Sequence, residues 1–233
     1  MKLAIITGAS SGIGLATAQL FVDRQYEVIN LSRRPCPDSR VTSVKIDLSS
    51  AILATKLKRT LMAQLNLSAP TEIHLIHNAA KLQSDSAVNT EDGTLHEVMQ
   101  VNVLAPNTLN RLLIPYMAAG SSIVLVGSTL AEKAVANVFS YVASKHALVG
   151  MTRALCQDLA GRDVHVSCIC PGFTDTEMLR SRVPEEHLDD VAQLSTFHRI
   201  IQPEEIAQTI FWATQNPVIN GSVIHANLGQ KES

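Results

Sequence analysis

The sequence predicts an α/β fold in three layers: a doubly wound, mainly parallel sheet of seven strands with helices on both faces. Three observations carry this expectation. Short apolar runs alternate with helical stretches from end to end. The runs are apolar on both faces, as strands covered by helices on each side are. The first run passes through a glycine-rich turn directly into a helical pattern. The expected strands are 3–7, 27–32, 42–46, 73–77, 122–127, 164–170 and 222–226, and the expected helices are 13–24, 50–65, 95–118, 141–160 and 203–215.

Taken in order, the first strand ends in Thr7-Gly8-Ala9-Ser10-Ser11-Gly12-Ile13-Gly14. Gly8 allows the tight exit from the strand, Gly12 removes a side chain where phosphate oxygens come close, and Gly14 lets the helix start pack on the strand. The helix that follows aims its backbone N–H groups and positive dipole end at those phosphates. This is a dinucleotide-binding turn of the Rossmann kind. The second strand ends at Ser32, and the cluster Arg33-Arg34-Pro35-Cys36-Pro37-Asp38 turns the chain toward its neighbour. The sixth strand carries Cys168 and Cys170 at alternating positions, which buried structural thiols explain. After it, 172–202 is the one long irregular region, and a stretch of that length reads as a substrate loop or lid over about 173–202. Parallel sheets bind ligands beyond the carboxyl ends of their strands, so the residues just after each strand are where chemistry is expected.

Bulk properties narrow the function. The chain has 233 residues, which suits one α/β domain spanning 1–233. It is 46% apolar and 17% charged, with a net charge of -2. That balance argues against nucleic-acid and membrane partners. No run reaches the ~18 apolar residues of a membrane span, and Met1 leads almost directly into a strand, so a cytoplasmic location is expected. Four cysteines do not make a disulfide framework here, and the eight histidines show no metal-ligand spacing. No metal site is expected.

Tyr141 and Lys145 stand four apart at the start of a predicted helix, so both side chains lie on one face. A phenol ionises near ~10, and a neighbouring ammonium brings that nearer neutrality by stabilising the phenolate. Alone, such a pair more often belongs to a helix surface. Ser128, just after the fifth strand, adds a hydroxyl at the ligand edge of the sheet and turns the pair into a candidate acid-base centre.

With these motifs in place, the chain resembles the short-chain dehydrogenases/reductases, in their compact one-domain branch. The resemblance rests on Thr7-Gly8-x-x-x-Gly12-x-Gly14, Asp47-Leu48, Asn78-Ala79-Ala80, Asn102, Ser128, Tyr141-x-x-x-Lys145, and Pro171-Gly172 followed by Thr176. It implies that Tyr141 protonates a carbonyl oxygen during reduction. It also implies that Lys145 lowers the phenol's pKa and bonds the nicotinamide ribose, that Ser128 holds the substrate oxygen, and that Asn102 positions a water for a proton relay. Gly8, Ser10, Ser11, Gly12, Ile13 and Gly14 would cradle the cofactor phosphates. Asp47 and Leu48 would bracket adenine, and Asn78, Ala79 and Ala80 would follow the adenosine and ribose. Pro171, Gly172, Phe173 and Thr176 would line the nicotinamide. Two departures stand out: His77-Asn78-Ala79-Ala80 replaces the usual Asn-Asn-Ala-Gly, and the C-terminal His225-Ala226-Asn227-Leu228-Gly229 lacks the frequent Asp-Gly.

A chain selecting NAD carries an acid at the end of the second strand to bind the ribose 2′-hydroxyl. Here that place holds Ser32, Arg33 and Arg34. Guanidinium groups offer charge-assisted donors to a 2′-phosphate. NADP(H) is therefore expected, with Arg33 the main phosphate contact, Ser32 a second, and Asp38 able to reach a ribose hydroxyl if the loop folds back. The substrate would be a small-molecule ketone or aldehyde with a sizeable apolar part, met by Leu82, Gln83, Val135, Phe139, Met178, Leu179 and Phe197 among others, with Arg180, Arg182 and His198 available to an acidic group. A 3-oxoacyl thioester, a diketone and a xenobiotic carbonyl stay open. So do a non-catalytic NADP-binding sensor or scaffold and a sugar-nucleotide epimerase or dehydratase. The resemblance also implies a homodimer or homotetramer.

Overall fold

The computed structural model describes residues 2–50, 52–65 and 71–230, apart from the side chains of 60–64. Residues 1, 51, 66–70 and 231–233, which the expected domain 1–233 includes, and of which 51 falls in the expected helix 50–65, lie outside the described residues.

One sheet organises the chain. Its strands are β1 (Lys2–Thr7), β2 (Glu27–Ser32), β3 (Thr42–Lys45), β4 (Glu72–His77), β5 (Ser122–Val126), β6 (His165–Pro171) and β7 (Val223–Ala226). They lie in the order β3-β2-β1-β4-β5-β6-β7, and every neighbouring pair is parallel. The chain winds outward from β1 to β3, crosses back, and winds the other way from β4 to β7. Its switch point lies between β1 and β4, where the crevice for a ligand opens at the strand ends.

The alternation of side chains along each strand divides the core in two. Leu3 and Ile5 of β1 pack into one apolar cluster with Ile73 and Leu75 of β4, while Ala4 and Ile6 pack into the other with Ile76. Helices α1 (Gly12–Asp23) and α8 (Pro203–Thr214) cover the second cluster through Ala18, Phe21, Ile206 and Ile210. Helices α2 (Leu53–Leu65), α4 (Ala105–Leu113) and α5 (Phe139–Asp158) cover the first through Leu57, Leu109, Leu113 and Leu148. Each such buried leucine, isoleucine or phenylalanine side chain stabilises the fold by about 1.5–3 kcal/mol relative to exposure. No helix among the described residues is long and apolar enough to cross a membrane.

Two expectations change in the structure. The single helix expected over 95–118 is broken into α3 (Asp92–Met99), a π-helical turn Gln100–Leu104, α4, and a 3₁₀ turn Ile114–Tyr116. Pro106 lies in the first turn of α4 and has no N–H to give the carbonyl four residues earlier, which belongs to Asn102. A wider turn at that point relieves the helix. The region 172–202, expected to be irregular, holds α6 (Glu177–Arg180), a 3₁₀ turn Glu185–His187 and α7 (Leu188–Ala192). These pieces are too short to show a helical period in sequence.

Candidate active site

The glycine turn joins the carboxyl end of β1 to α1. Gly8 has φ 75°, and a Cβ there would stand 3.1 Å from the Ala79 Cα. A Cβ on Gly14 would lie 2.3 Å from the Gly8 carbonyl oxygen, so only glycine lets the helix start this close to the strand exit. Side chains fix the turn from both neighbouring strands. Asn30 Oδ1 on β2 accepts the Ala9 N–H at 3.0 Å, and Asn78 Nδ2 after β4 donates to the Thr7 carbonyl at 3.0 Å and the Gly8 carbonyl at 3.2 Å. Thr7 Oγ1 accepts the N–H groups of Asn78 and Ala79, each at 3.0 Å. Asn78 therefore acts here as a strap on the glycine turn. Helix α1 has no side-chain cap at Ser11, so its N-terminal N–H groups and dipole face the crevice.

The candidate catalytic side chains gather one strand further along. Tyr141 and Lys145 share a face of α5 and are both buried, 7% and 3% exposed. Lys145 Nζ lies 5.4 Å from the centre of the Tyr141 ring and donates to the Val126 carbonyl at the end of β5, at 2.7 Å. Among the described residues that is the one hydrogen-bond acceptor for a buried ammonium with three donors, which leaves N–H positions for a bound hydroxyl. Ser128 is half-buried just past β5, and its Oγ accepts the Leu130 N–H at 3.1 Å. Asn102, turned inward by the π-helical turn, is fully engaged by protein. Its Oδ1 accepts the Lys81 N–H at 2.7 Å, and its Nδ2 donates to the Lys81 carbonyl at 2.9 Å and to Ser144 Oγ at 2.8 Å. Its side chain thus clamps the segment after β4 to α5.

On the opposite flank, Ser32 Oγ donates to the Arg34 carbonyl within its own turn. Arg33 is exposed, and its charge helps hold the Asp47 carboxyl below the usual range, after the larger effect of the hydrogen bonds from Ser49. Arg34 is turned away from it. Its Nη2 meets Glu177 Oε2 at 2.7 Å and Ser11 Oγ at 3.2 Å, and Ser11 Oγ also donates to that carboxylate at 3.3 Å. Leu48 packs its side chain into the core, while its carbonyl accepts Gln100 Nε2 at 3.3 Å. Pro171 ends β6 and Gly172 follows it, bonded to the Ala226 carbonyl. Phe173 is half-buried, with its carbonyl accepting the Ile201 N–H. Thr176 caps α6 through Leu179 and lies against Gly12, where a Cβ would stand 3.0 Å from its Cγ2. The glycine turn and the loop after β6 therefore meet, while Ile13 packs against the second core cluster.

The loop is fastened by its own charges. Arg180 holds Asp175 at 2.6 and 2.9 Å and Glu185 at 3.0 Å. Arg182 donates to the Leu82 carbonyl at 2.8 Å and Ser84 Oγ at 2.9 Å. The departures from family pattern have visible settings. His77 Nε2 bonds Asn110 Oδ1 at 2.8 Å, and burial pushes its pKa down to about 4. Leu228 has φ 51°, and its carbonyl accepts both the N–H and Oγ1 of Thr196, tying the loop to the end of β7. Cys168 and Cys170 are free and buried, with sulfurs 3.8 Å apart behind Gly127. Sequence reasoning overlooked Glu177, whose carboxylate engages two residues expected to bind phosphates, and Asp85, which meets the start of α5. Neither lies in a motif, and both act across long sequence separations.

The donor set suits a dinucleotide: an uncapped helix terminus, glycines at the closest approaches, and a buried ammonium with spare donors. Residues 2–187 match the profile of the family described as short chain dehydrogenase. NADPH-dependent aldehyde reductase 2, chloroplastic, of Arabidopsis thaliana is 27% identical over 98% of this chain and 93% of its own. The 3-oxoacyl-[acyl-carrier-protein] reductase FabG of Thermotoga maritima is 28% identical over 96% of this chain and 95% of its own. Among solved structures, a short chain dehydrogenase family protein from Francisella tularensis superposes with a TM-score of 0.89 at 25% identity, covering 98% of both chains. A 4-hydroxyisoleucine dehydrogenase complexed with NADH superposes with a TM-score of 0.83 at 26% identity, also covering 98% of both.

Proposed function

Because this chain belongs to the short-chain dehydrogenase family of oxidoreductases, we propose that it reduces a small-molecule ketone or aldehyde to an alcohol with NADP(H). Bound NADPH would supply the hydride. The observation that carries the proposal is the burial of Tyr141 beside Lys145, whose ammonium is held at the end of β5, the strand that Ser128 follows. In this scheme Ser128 holds the carbonyl oxygen, and Tyr141 delivers a proton to it as negative charge develops. Lys145 steadies the charge left on the phenol oxygen, and Val126 holds its ammonium in place. Asn102 works through the protein by fixing the segment after β4 against α5. A water relay through Asn102 would use its backbone carbonyl, whose donor four residues on is removed by Pro106.

NADP(H) rather than NAD(H) is supported by Ser32, in place of an acid, at the end of β2 and by the exposed Arg33, with Arg34 beside it. Gly8, Ser10, Ser11, Gly12, Ile13 and Gly14 would cradle the pyrophosphate. Asp47, Leu48, Asn78, Ala79 and Ala80 would face the adenosine, and Pro171, Gly172, Phe173 and Thr176 the nicotinamide. The exposed apolar side chains Val135 and Phe139, on the segment leading to Tyr141, and Met178 and Phe197, after β6, favour a carbonyl carrying an apolar body. We take the chain to be one cytoplasmic domain, acting as a homo-oligomer.

The test is NADPH oxidation across a panel of aldehydes, ketones, diketones and 3-oxoacyl thioesters, run in parallel with NADH and with Tyr141→Phe. Turnover of at least one carbonyl, faster with NADPH and lost in Tyr141→Phe, is expected. NADPH binding without turnover of any carbonyl would identify a sensor or scaffold instead.

A further inference from the structure

Helix α5 carries Tyr141 in its first turn, yet its N-cap residue Val138 has no side chain able to cap it. The backbone leading in is irregular, with Asn137 at φ 63°. Something else must fix where the helix begins. Asp85, more than fifty residues earlier in the chain, does so with three hydrogen bonds. Its Oδ1 accepts the Ser140 N–H at 3.1 Å. Its backbone N–H donates to the Asn137 carbonyl at 3.1 Å, and its carbonyl accepts the Phe139 N–H at 3.2 Å, forming a short parallel bridge with Val138. The residues just ahead of Tyr141 are thereby held on a single partner.

Asp85 is 5% exposed, and its second oxygen, Oδ2, is buried with no hydrogen-bond partner among the described residues. A buried carboxylate with an unused oxygen is costly, and the N-terminus of a long helix offsets that cost by favouring negative charge. The other end of the same short loop is Lys81, whose N–H and carbonyl are both held by Asn102. The segment 81–85 therefore links the strand-end edge, where Asn78 straps the glycine turn, to the turn of α5 that carries Tyr141.

We infer that Asp85 is a positioning residue for Tyr141, setting the phase and depth of the first turn of α5 so that the phenol meets the substrate oxygen. The inference rests on Tyr141 being the proton donor. Misplacement by about an ångström costs a reaction up to ~10²-fold. Asp85→Ala removes the side-chain cap, whereas Asp85→Asn keeps an acceptor oxygen for Ser140.

The test uses the full chain with NADPH, its best panel carbonyl, and tyrosine labelled with ¹³C on the ring. Asp85→Ala should lower kcat by about 10- to 100-fold with NADPH affinity within about twofold, and Asp85→Asn should restore most of it. The Tyr141 ring resonance, assigned with Tyr141→Phe, should move or broaden in Asp85→Ala and coincide with wild type in Asp85→Asn. Those of Tyr26 and Tyr116 should stay in place. Unchanged kcat and an unmoved Tyr141 resonance in Asp85→Ala would overturn the inference, as would a disturbance shared by all three tyrosines. A folded Asp85→Asn as impaired as Asp85→Ala would also overturn it. The proton-donor reading fails separately, if Tyr141→Phe turns over at the wild-type rate. The ring resonances need no substrate, so they decide the positioning even if no panel carbonyl is reduced.

Discussion

Acidification should destabilise this protein well before its carboxylates titrate, because burial lowers the pKa values of three histidines, His74, His77 and His165, and keeps them neutral. His77 sits at the end of β4 with Asn110 as its partner, and His74 bonds Ser122 Oγ at 2.8 Å. Burial pushes the pKa of each from 6.5 down to about 4. The folded-state value lies below the unfolded one, so between them the unfolded chain takes up a proton that the fold excludes. Stability is then full above the unfolded value and falls with pH through that window. For one histidine the linkage gives a loss of about 2 kcal/mol between pH 7 and pH 5, and about 3 kcal/mol by pH 4. Two such groups remove about 4 kcal/mol by pH 5, a large share of the ~5–15 kcal/mol typical of a folded domain. The ion-paired carboxylates Asp175, Glu177 and Glu205 are held below their usual range, so their losses fall at lower pH. The assay is urea unfolding of wild type and His77→Asn at pH 7, 6 and 5. Wild type should lose about 2 kcal/mol more stability than His77→Asn between pH 7 and pH 5. Equal losses in the two proteins, or a flat profile to pH 5, would refute the reasoning.

The cofactor edge supplies two further predictions. Arg33→Ala should weaken NADPH by about 10- to 100-fold while leaving NADH nearly unchanged, since a charge-assisted bond contributes about 1.5–3 kcal/mol. Equal losses in fluorescence titrations with the two cofactors would show that Arg33 does not meet the 2′-phosphate. Glu177→Gln should tighten NADPH about two- to fivefold, by releasing Arg34 and Ser11 from a carboxylate that repels phosphate. The modest size follows from exposure, because the Arg34 and Glu177 side chains are 61% and 65% exposed. Such pairs are worth about 0–1 kcal/mol and are screened by salt. Weaker binding in Glu177→Gln would mean that the carboxylate supports the cofactor instead.

The layers of this fold were legible because strand and helix periods are local. Alternate residues of β1 enter opposite cores, and that is why the run over 3–7 is apolar throughout. The glycine turn was equally legible, since Gly8 and Gly14 answer to contacts set by the strand-turn-helix path itself. The spacing of Tyr141 and Lys145 also placed both on one face, and they are buried together. What escaped was non-local. Asp85 and Ser140 meet across fifty-five positions, and Glu177 reaches Arg34 across more than a hundred. No residue pattern near either announces its partner. The break at Asn102 was readable in principle, because Pro106 removes a helical donor, but the apolar period runs on through it. Arg180 and Arg182, open to an acidic substrate by sequence, are instead engaged by Asp175 and Glu185 and by Leu82 and Ser84.

The proton-donor assignment is tested most directly by following label and rate together. Wild type, supplied with NADPH deuterated at the transferable position, should yield alcohol carrying deuterium on the former carbonyl carbon. Tyr141→Phe should bind the cofactor as wild type does yet form that product about 10²- to 10⁴-fold more slowly. Labelled alcohol appearing at an undiminished rate from Tyr141→Phe would contradict the account.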